Sequence, residues 1–190
     1  MKENLKLGAI LLIVTAIAGC LLGWAYSITK EPIAQQAIKA NNEAMREILP
    51  IAEQFNKLEA TIPDGSIVKE VNEGKKGNDV VGYAIKVTPK GYGGMIEMMV
   101  GISTDGKVSG IKILSHSETP GLGANAPSKE FSGQYKDKAI DPLLEVVKTT
   151  PSKPNQIQAI TGATITSKAV TKGVNEAINF YTSNLKGGSK

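Results

Sequence analysis

The chain is nearly without thiol and imidazole chemistry. Among its 190 residues there is one cysteine, Cys20, and one histidine, His116. A single cysteine excludes an internal disulfide, and with it any metal site resting on several thiolates. A single histidine excludes a multi-histidine metal centre, so no metal ligands are expected. Charge of one sign is also scarce. The formal net charge is +4, and Lys2, Glu3 and Lys6 account for +1 of it. The remaining excess is small and scattered, and the few aromatics (5% of residues) never alternate with basic residues. This argues against a nucleic-acid partner. The signatures of common catalytic sites are absent too. There is no Walker loop, no strand-GxGxxG-helix unit and no GxSxG elbow, and no spacing singles out a pair of carboxylates.

What the sequence does have is a long uncharged run. From Leu7 to Thr29 it reads LGAILLIVTAIAGCLLGWAYSIT. At about 1.5 Å per residue this covers roughly 34 Å, enough for a hydrocarbon core of about 30 Å. Trp24 and Tyr26 stand at its far end, where amphipathic rings favour the headgroup layer. A buried core helix would carry a polar stripe, and this segment has only Thr15 and Ser27. It reads as a transmembrane helix at 7–29, preceded by a cytoplasmic tail at 1–6. Lys2 and Lys6 place that tail inside and the bulk of the chain on the extracytoplasmic side of the cell (inner) membrane. Ile17-Ala18-Gly19-Cys20 offers a rival reading as a lipoprotein processing site. Against it, the apolar run continues through Leu21, Leu22 and Trp24, which favours an uncleaved helix with Cys20 as a small packing residue.

Beyond the membrane segment, Glu31-Pro32 opens a helical stretch. Ile33, Ala37, Ala40, Ala44 and Ile48 recur at helical spacing until Pro50. Residues 30–64 therefore read as a stalk or packing helix continuing from the membrane, with a connector. Residues 65–186 read as one domain, and 187–190 as a loose C-terminus. Ser66 to Leu114 has β-character. Val81, Tyr83, Ile85 and Val87 alternate, as do Ile96, Met98, Val100 and Ile102, and Asp105-Gly106 marks a hairpin. Val108, Gly110, Lys112 and Leu114 are assigned to one face, Ser109, Ile111 and Ile113 to the other. Three or four antiparallel strands are expected, with Gly91-Tyr92-Gly93-Gly94 as a turn between two of them. Met98 and Met99 read as strand packing. Ser115 to Pro127 is a Gly/Pro-rich loop, and Ser128 to Lys138 predicts a short helix with Phe131 and Tyr135 on one side. Ile157 to Ile160 predicts a short strand. From Ile165, Ala169, Val170, Val174, Ala177, Ile178 and Tyr181 trace an amphipathic helix. The fold class expected is α+β: an N-terminal transmembrane helix and a single domain with an antiparallel sheet and flanking helices.

At the start of that last helix lies ITGATITSKAV, residues 160–170, dense in hydroxyls. A helix start leaves backbone N–H groups unpaired and its dipole favours an anion, so a phosphate would be well held there. The plain alternative makes Thr164 or Thr166 an N-cap. The fuller capping box is missing, since Ser167 and Ala169 stand where Glu or Gln would be. His116, alone in its loop, is either a structural hydrogen-bonding group or a base.

Thr161-Gly162-Ala163-Thr164 resembles the [S/T]-G-A-T motif of covalent FMN-binding domains. His116-Ser117-Glu118-Thr119-Pro120-Gly121-Leu122-Gly123 resembles the H-x-E-T-P-G-L-G loop of the same domains, and Gly91–Gly94 looks like their Gly-rich turn. With the membrane anchor, the order points to the G subunit of Rnf complexes, which carry electrons between ferredoxin and NAD while moving ions. The C subunit of Na⁺-translocating NADH:quinone reductase is the alternative within the family. The family often has Asp six residues before the modified Thr; here it is Gln158. The resemblance implies a redox subunit with FMN joined by a phosphoester to Thr164. It implies an Mg-dependent flavin transferase that uses FAD and releases AMP, and neighbouring membrane subunits as partners. It also implies no small-molecule substrate pocket and no turnover by the isolated chain. Thr161, Gly162, Ala163, Thr166, Ser167 and Lys168 would surround the phosphate. The ring would meet Tyr92, Gly93, Gly94 and Met95, and His116, Glu118, Thr119, Pro120, Gly121, Leu122 and Gly123. A non-redox membrane-anchored assembly module whose TGAT is only a helix cap, or a lipoprotein hydrolase using His116, are the readings outside the family.

Overall fold

The computed structural model describes residues 2–186, so the loose C-terminus expected at 187–190 lies outside the described residues. The chain divides into two compact units, Met1–Ala40 and Asn41–Lys190.

The described residues of the first unit, 2–40, are helical throughout. They belong to α1, Lys2–Ile48, which contains an 18-residue window of mean hydropathy 2.4 with nothing buried. The helix is long and apolar enough to cross a membrane. The three Ser and Thr side chains of its uncharged run turn back onto the helix backbone. Thr15 Oγ1 donates to the Leu11 carbonyl at 2.9 Å, Ser27 Oγ to Trp24 at 2.8 Å, and Thr29 Oγ1 to Ala25 at 2.9 Å. That is what hydrocarbon requires of a hydroxyl with no water to bond. The stalk helix expected to continue from the membrane segment does so without a break and does not open anew at Pro32. Pro32 lies inside α1, at a cost of about 3 kcal/mol to an ordinary helix. The strong helix formers that follow, Ala34, Ala37 and Ala40, let the helix continue past it.

The second unit is built on a six-stranded antiparallel meander in sequence order. Its strands are β1 (Gln54–Lys57), β2 (Val68–Lys76), β3 (Asp79–Val87), β4 (Glu97–Ser103), β5 (Lys107–Ser115) and β6 (Lys138–Ala139). β7 (Glu145–Val147) and β8 (Gln156–Gln158) form a separate parallel pair. α2 (Lys129–Ser132) and α3 (Thr164–Asn184) complete the unit. The sheet is covered on both faces. On one, Ile85, Val87, Met98, Val100, Ile111 and Ile113 pack with Val170, Val174, Ala177, Ile178 and Tyr181 of α3. On the other, Ala84 and Met99 meet Ala44, Met45, Ile48 and Leu49. Met98 and Met99 are thus both strand packing, on opposite faces. Gly101 permits the close approach of the end of α1, because a Cβ there would lie 2.9 Å from the Ile48 carbonyl oxygen.

Three expectations differ. The boundary placed at residue 65 falls inside this unit, since Gln54–Lys57 pairs with β2. The sheet gains β1 and β6 at its edges. Val108 shares its cluster with Ile111 and Ile113 rather than facing away with Gly110 and Leu114. Gly101 pairs with Gly110 and Ile102 with Val108, so Ser109 is the extra residue of a bulge that reverses the alternation. The short helix arrives as α2 followed by a 3-10 turn, Gly133–Tyr135. Its Phe131 and Tyr135 rings meet edge to face, centroids 5.6 Å apart.

Candidate functional site

Three segments distant in sequence meet at one end of the sheet. β4 and β5 are antiparallel neighbours, and Glu97 at the start of one pairs with Ser115 at the end of the other. This places the turn before β4 beside the loop after β5. The start of α3 closes the third side.

The turn is tight. The Gly91 N–H donates to the Gly94 carbonyl at 2.7 Å, and Lys90 bridges to Met95. In the loop, the Glu118 N–H donates to His116 Nδ1 at 3.2 Å. The Leu122 and Ala124 N–H groups both donate to the Thr119 carbonyl at 3.1 Å. Gly121 has φ +76°, where other residues are strained. Before α3, the Ala163 N–H donates to the Ile160 carbonyl at 2.9 Å, across Gly162 at φ +75°. Ser167 fixes this turn from inside. Its Oγ accepts the Ile160 N–H at 3.0 Å and donates to the Ala163 carbonyl at 2.9 Å. A buried chain continues from there: Thr171 Oγ1 donates to the Ser167 carbonyl at 3.0 Å and stands 2.7 Å from the Tyr135 hydroxyl. Burial pushes the Tyr135 phenol far above its ordinary range.

One carboxylate joins all three segments. Glu118 is only 6% exposed. Its Oε1 accepts the Gly93 N–H at 2.9 Å, and its Oε2 accepts the Thr166 hydroxyl. A Cβ at Gly123 would lie 2.5 Å from Thr166 Oγ1 and 2.6 Å from Glu118 Oε2. Glycine there leaves room for the clamp.

Between the segments opens a cavity of about 480 Å³, lined by Tyr92, Glu118, Thr119, Leu122, Gly123, Gly162, Ala163, Thr164, Ile165 and Thr166. The hydroxyls expected here divide in two. Thr166 is bonded to Glu118, and Ser167 to the turn. Among the described residues Thr164 and Thr161 make no side-chain hydrogen bond, and of these two only Thr164 lines the cavity. Neither Thr164 nor Thr166 is the N-cap. Ala163 takes that place with no side-chain cap, and its carbonyl accepts the first helical bond from the Ser167 N–H at 3.0 Å. Among the described residues, the N–H groups of Thr164, Ile165 and Thr166 find no acceptor. They face the helix start with the positive end of the dipole.

The other candidates stand around this cavity without lining it. Gly93 gives its N–H to Glu118, Gly94 closes the turn, and His116 orders the Glu118 backbone. Gly121 shapes the loop, while Ser167 is wholly buried behind it. Thr161 lines a neighbouring groove with Gly121 and Gln158. Met95, Pro120 and Lys168 are exposed. Ile165 lines the cavity and was not foreseen. The available signal was a large apolar residue beside the hydroxyls, at a first-turn position where it remains 57% exposed.

Residues 91–179 match the FMN-binding domain family. Over 172 residues the chain is 45% identical to the G subunit of the proton-translocating ferredoxin:NAD(+) oxidoreductase complex of Clostridium ljungdahlii, covering 90% of this chain and 88% of that protein. Over 192 residues it is 41% identical to the G subunit of the Na(+)-translocating ferredoxin:NAD(+) oxidoreductase complex of Acetobacterium woodii, covering 95% and 92%. Among solved structures, NqrC of Shewanella oneidensis superposes with a TM-score of 0.58 at 16% identity, covering 74% of this chain and 93% of that one. The C subunit of the Na(+)-translocating NADH-quinone reductase of Parabacteroides distasonis gives 0.61 at 18% identity, covering 82% and 96%. These two structures share the fold.

Proposed function

The chain belongs to the family of G subunits of ion-translocating oxidoreductase complexes, and from that premise we propose that it carries one FMN on Thr164 and relays electrons within such a complex. The observation that carries the residue assignment is the division of the hydroxyls. Thr119 and Thr164 are both uncommitted and line the cavity, but of the two only Thr164 stands at a helix start with three unclaimed N–H groups.

The residues present suit such a group. The N–H groups of Thr164, Ile165 and Thr166 would hold a phosphate on the adjoining hydroxyl, whose charge the helix dipole favours. Gly162 and Ala163 are small and leave the hydroxyl approachable by a transferase that brings FAD. Tyr92, Leu122 and Ile165 offer flat or apolar surface in the cavity. A would-be Cβ on Gly162 would lie 2.8 Å from Leu122 Cδ2, so glycine also lets Leu122 close over the turn. Bound there, FMN supplies the electron-carrying chemistry, and the protein supplies attachment, orientation and electrostatics. α1 serves as a single-pass anchor, with Lys2 and Lys6 on the cytoplasmic side and the FMN domain outside. Covalent attachment prevents loss of a cofactor where none is supplied. The other membrane subunits of the complex deliver and remove the electrons.

The test is direct. The full chain is co-expressed with an FAD-dependent flavin transferase, denatured, and examined by in-gel flavin fluorescence and intact mass. The unaltered chain carries one FMN, Thr164→Ala carries none, and Thr161→Ala retains it. Flavin that persists in Thr164→Ala overturns the assignment. Unmodified mass in the unaltered chain overturns the covalent reading altogether.

A further inference from the structure

We propose that Glu118 is a positioning residue whose buried charge holds down the reduction potential of the flavin in this cavity; the inference rests on the FMN reading above. Three observations lead to it. Both carboxyl oxygens are engaged, one accepting the Gly93 N–H and one accepting the Thr166 hydroxyl. The group is buried and yet lines the cavity. Among the described residues no Lys or Arg side chain forms an ion pair with it.

A structural latch alone would not need this chemistry. Gly93 presents a neutral donor and Thr166 a hydroxyl that can equally accept, so a Gln amide would satisfy both, its oxygen toward Gly93 and its NH2 toward Thr166. An unpaired anion is costly to bury, and the fold sets glycine at 123 to make room for it. What such an anion does is act on charge across the cavity. Were a bound FMN to take two electrons from a neighbouring donor subunit and one proton from solvent, it would end with one more negative charge. A fixed anion in the wall opposes that gain. Even about 10 Å away, at an effective dielectric of about 20, one unit charge shifts such an equilibrium more than about tenfold.

The test is a redox titration of the detergent-solubilised, flavin-loaded full chain against indicator dyes, with the unaltered chain, Glu118→Gln and Glu118→Asp. Gln keeps the shape and removes the charge. Its potential moves positive by at least about 30 mV, which is tenfold in the reduced-to-oxidised ratio of a two-electron couple. Asp keeps the charge and stays with the unaltered chain. A Gln potential that coincides with the unaltered one, or an Asp potential that moves as far as Gln, overturns the proposal while leaving the FMN assignment standing. An unaltered chain that takes no flavin overturns the FMN reading instead. Should Glu118→Gln fail to load, infrared redox difference spectra of the unaltered holoprotein decide with ¹³C-glutamate labelling. A deprotonated carboxylate band shifts on reduction if the proposal holds, and its absence refutes it.

Discussion

Gly123→Ala should loosen the second unit without replacing a polar side chain. The added methyl carbon would sit 2.5 Å from Thr166 Oγ1 and 2.6 Å from Glu118 Oε2. Carbon and oxygen do not remain that close, so either the loop shifts or the Glu118–Thr166 bond opens. The first course is overpacking, which costs about 1–3 kcal/mol. The second weakens a hydrogen bond to a charged group, worth about 1.5–3 kcal/mol. Both give a loss of about 1–3 kcal/mol. For a domain of this size each kcal/mol moves Tm by about 2–4 °C, so a fall of about 2–12 °C is expected. The assay is thermal unfolding of the unloaded full chain in detergent, followed by circular dichroism, which makes the result independent of flavin. Gly133→Ala is the control. Gly133 has φ −66° and ψ −21°, and a Cβ there meets nothing within 4 Å. It should be neutral or raise stability by about 0.4–1 kcal/mol. If Gly123→Ala melts with Gly133→Ala, the loop has slack and the close packing around the carboxylate is not rigid.

Ser167→Ala leaves the Ile160 N–H without its acceptor, at about 1–3 kcal/mol; thermal unfolding should show the loss, and flavin fluorescence per folded chain should fall because the turn presenting Thr164 is freed. Tyr135 stays protonated in the fold well above its ordinary range, whereas the unfolded chain releases that proton from about pH 10. Its contribution is therefore intact below pH 10 and is lost as pH rises, at about 1.4 kcal/mol per pH unit. Burial also raises Tyr83 and Tyr181, so Tyr135→Phe should reduce, not abolish, the alkaline slope of urea-unfolding stability. An alkaline phosphatase fused to the C-terminus should be active if the domain is extracytoplasmic, and an inactive fusion reverses the orientation.

The parts of the fold legible in the sequence were those with a local cause. Alternation in 81–87 and 96–102 gave β3 and β4, Asp105-Gly106 gave their hairpin neighbour, and the period of 165–181 gave α3. Gln54–Lys57 carries no such pattern. It is a strand because Phe55 comes to lie opposite Gly74, a pairing partner that local sequence does not name. The bulge at Ser109 was equally silent, since it is a matter of register between β4 and β5. The site followed the same division. Its hydroxyls and glycines were visible, but their employment was not. Thr166 reaches Glu118 across 48 positions and Gly93 reaches it across 25. A reading that counts neighbours along the chain treats Thr166 and Thr164 alike.

That difference between like residues is what makes the tether specific. A hydroxyl that must react with another enzyme's substrate has to be free of internal bonds, within reach, and beside something that holds the incoming phosphate. Ser167 is wholly buried and bonded twice, so reaction there would require the turn to open. Thr166 is buried, and its proton is engaged by Glu118. Thr161 is free and exposed, but it lies before Gly162 and lines the adjoining groove, not the cavity. Thr164 follows Ala163, the residue at which the helix begins, so its own N–H and the two after it are the unclaimed donors. Of the four hydroxyls in 161–167, the bond network thus silences two, the φ +75° turn at Gly162 separates the third, and the fourth is already positioned against the anion-holding end of α3.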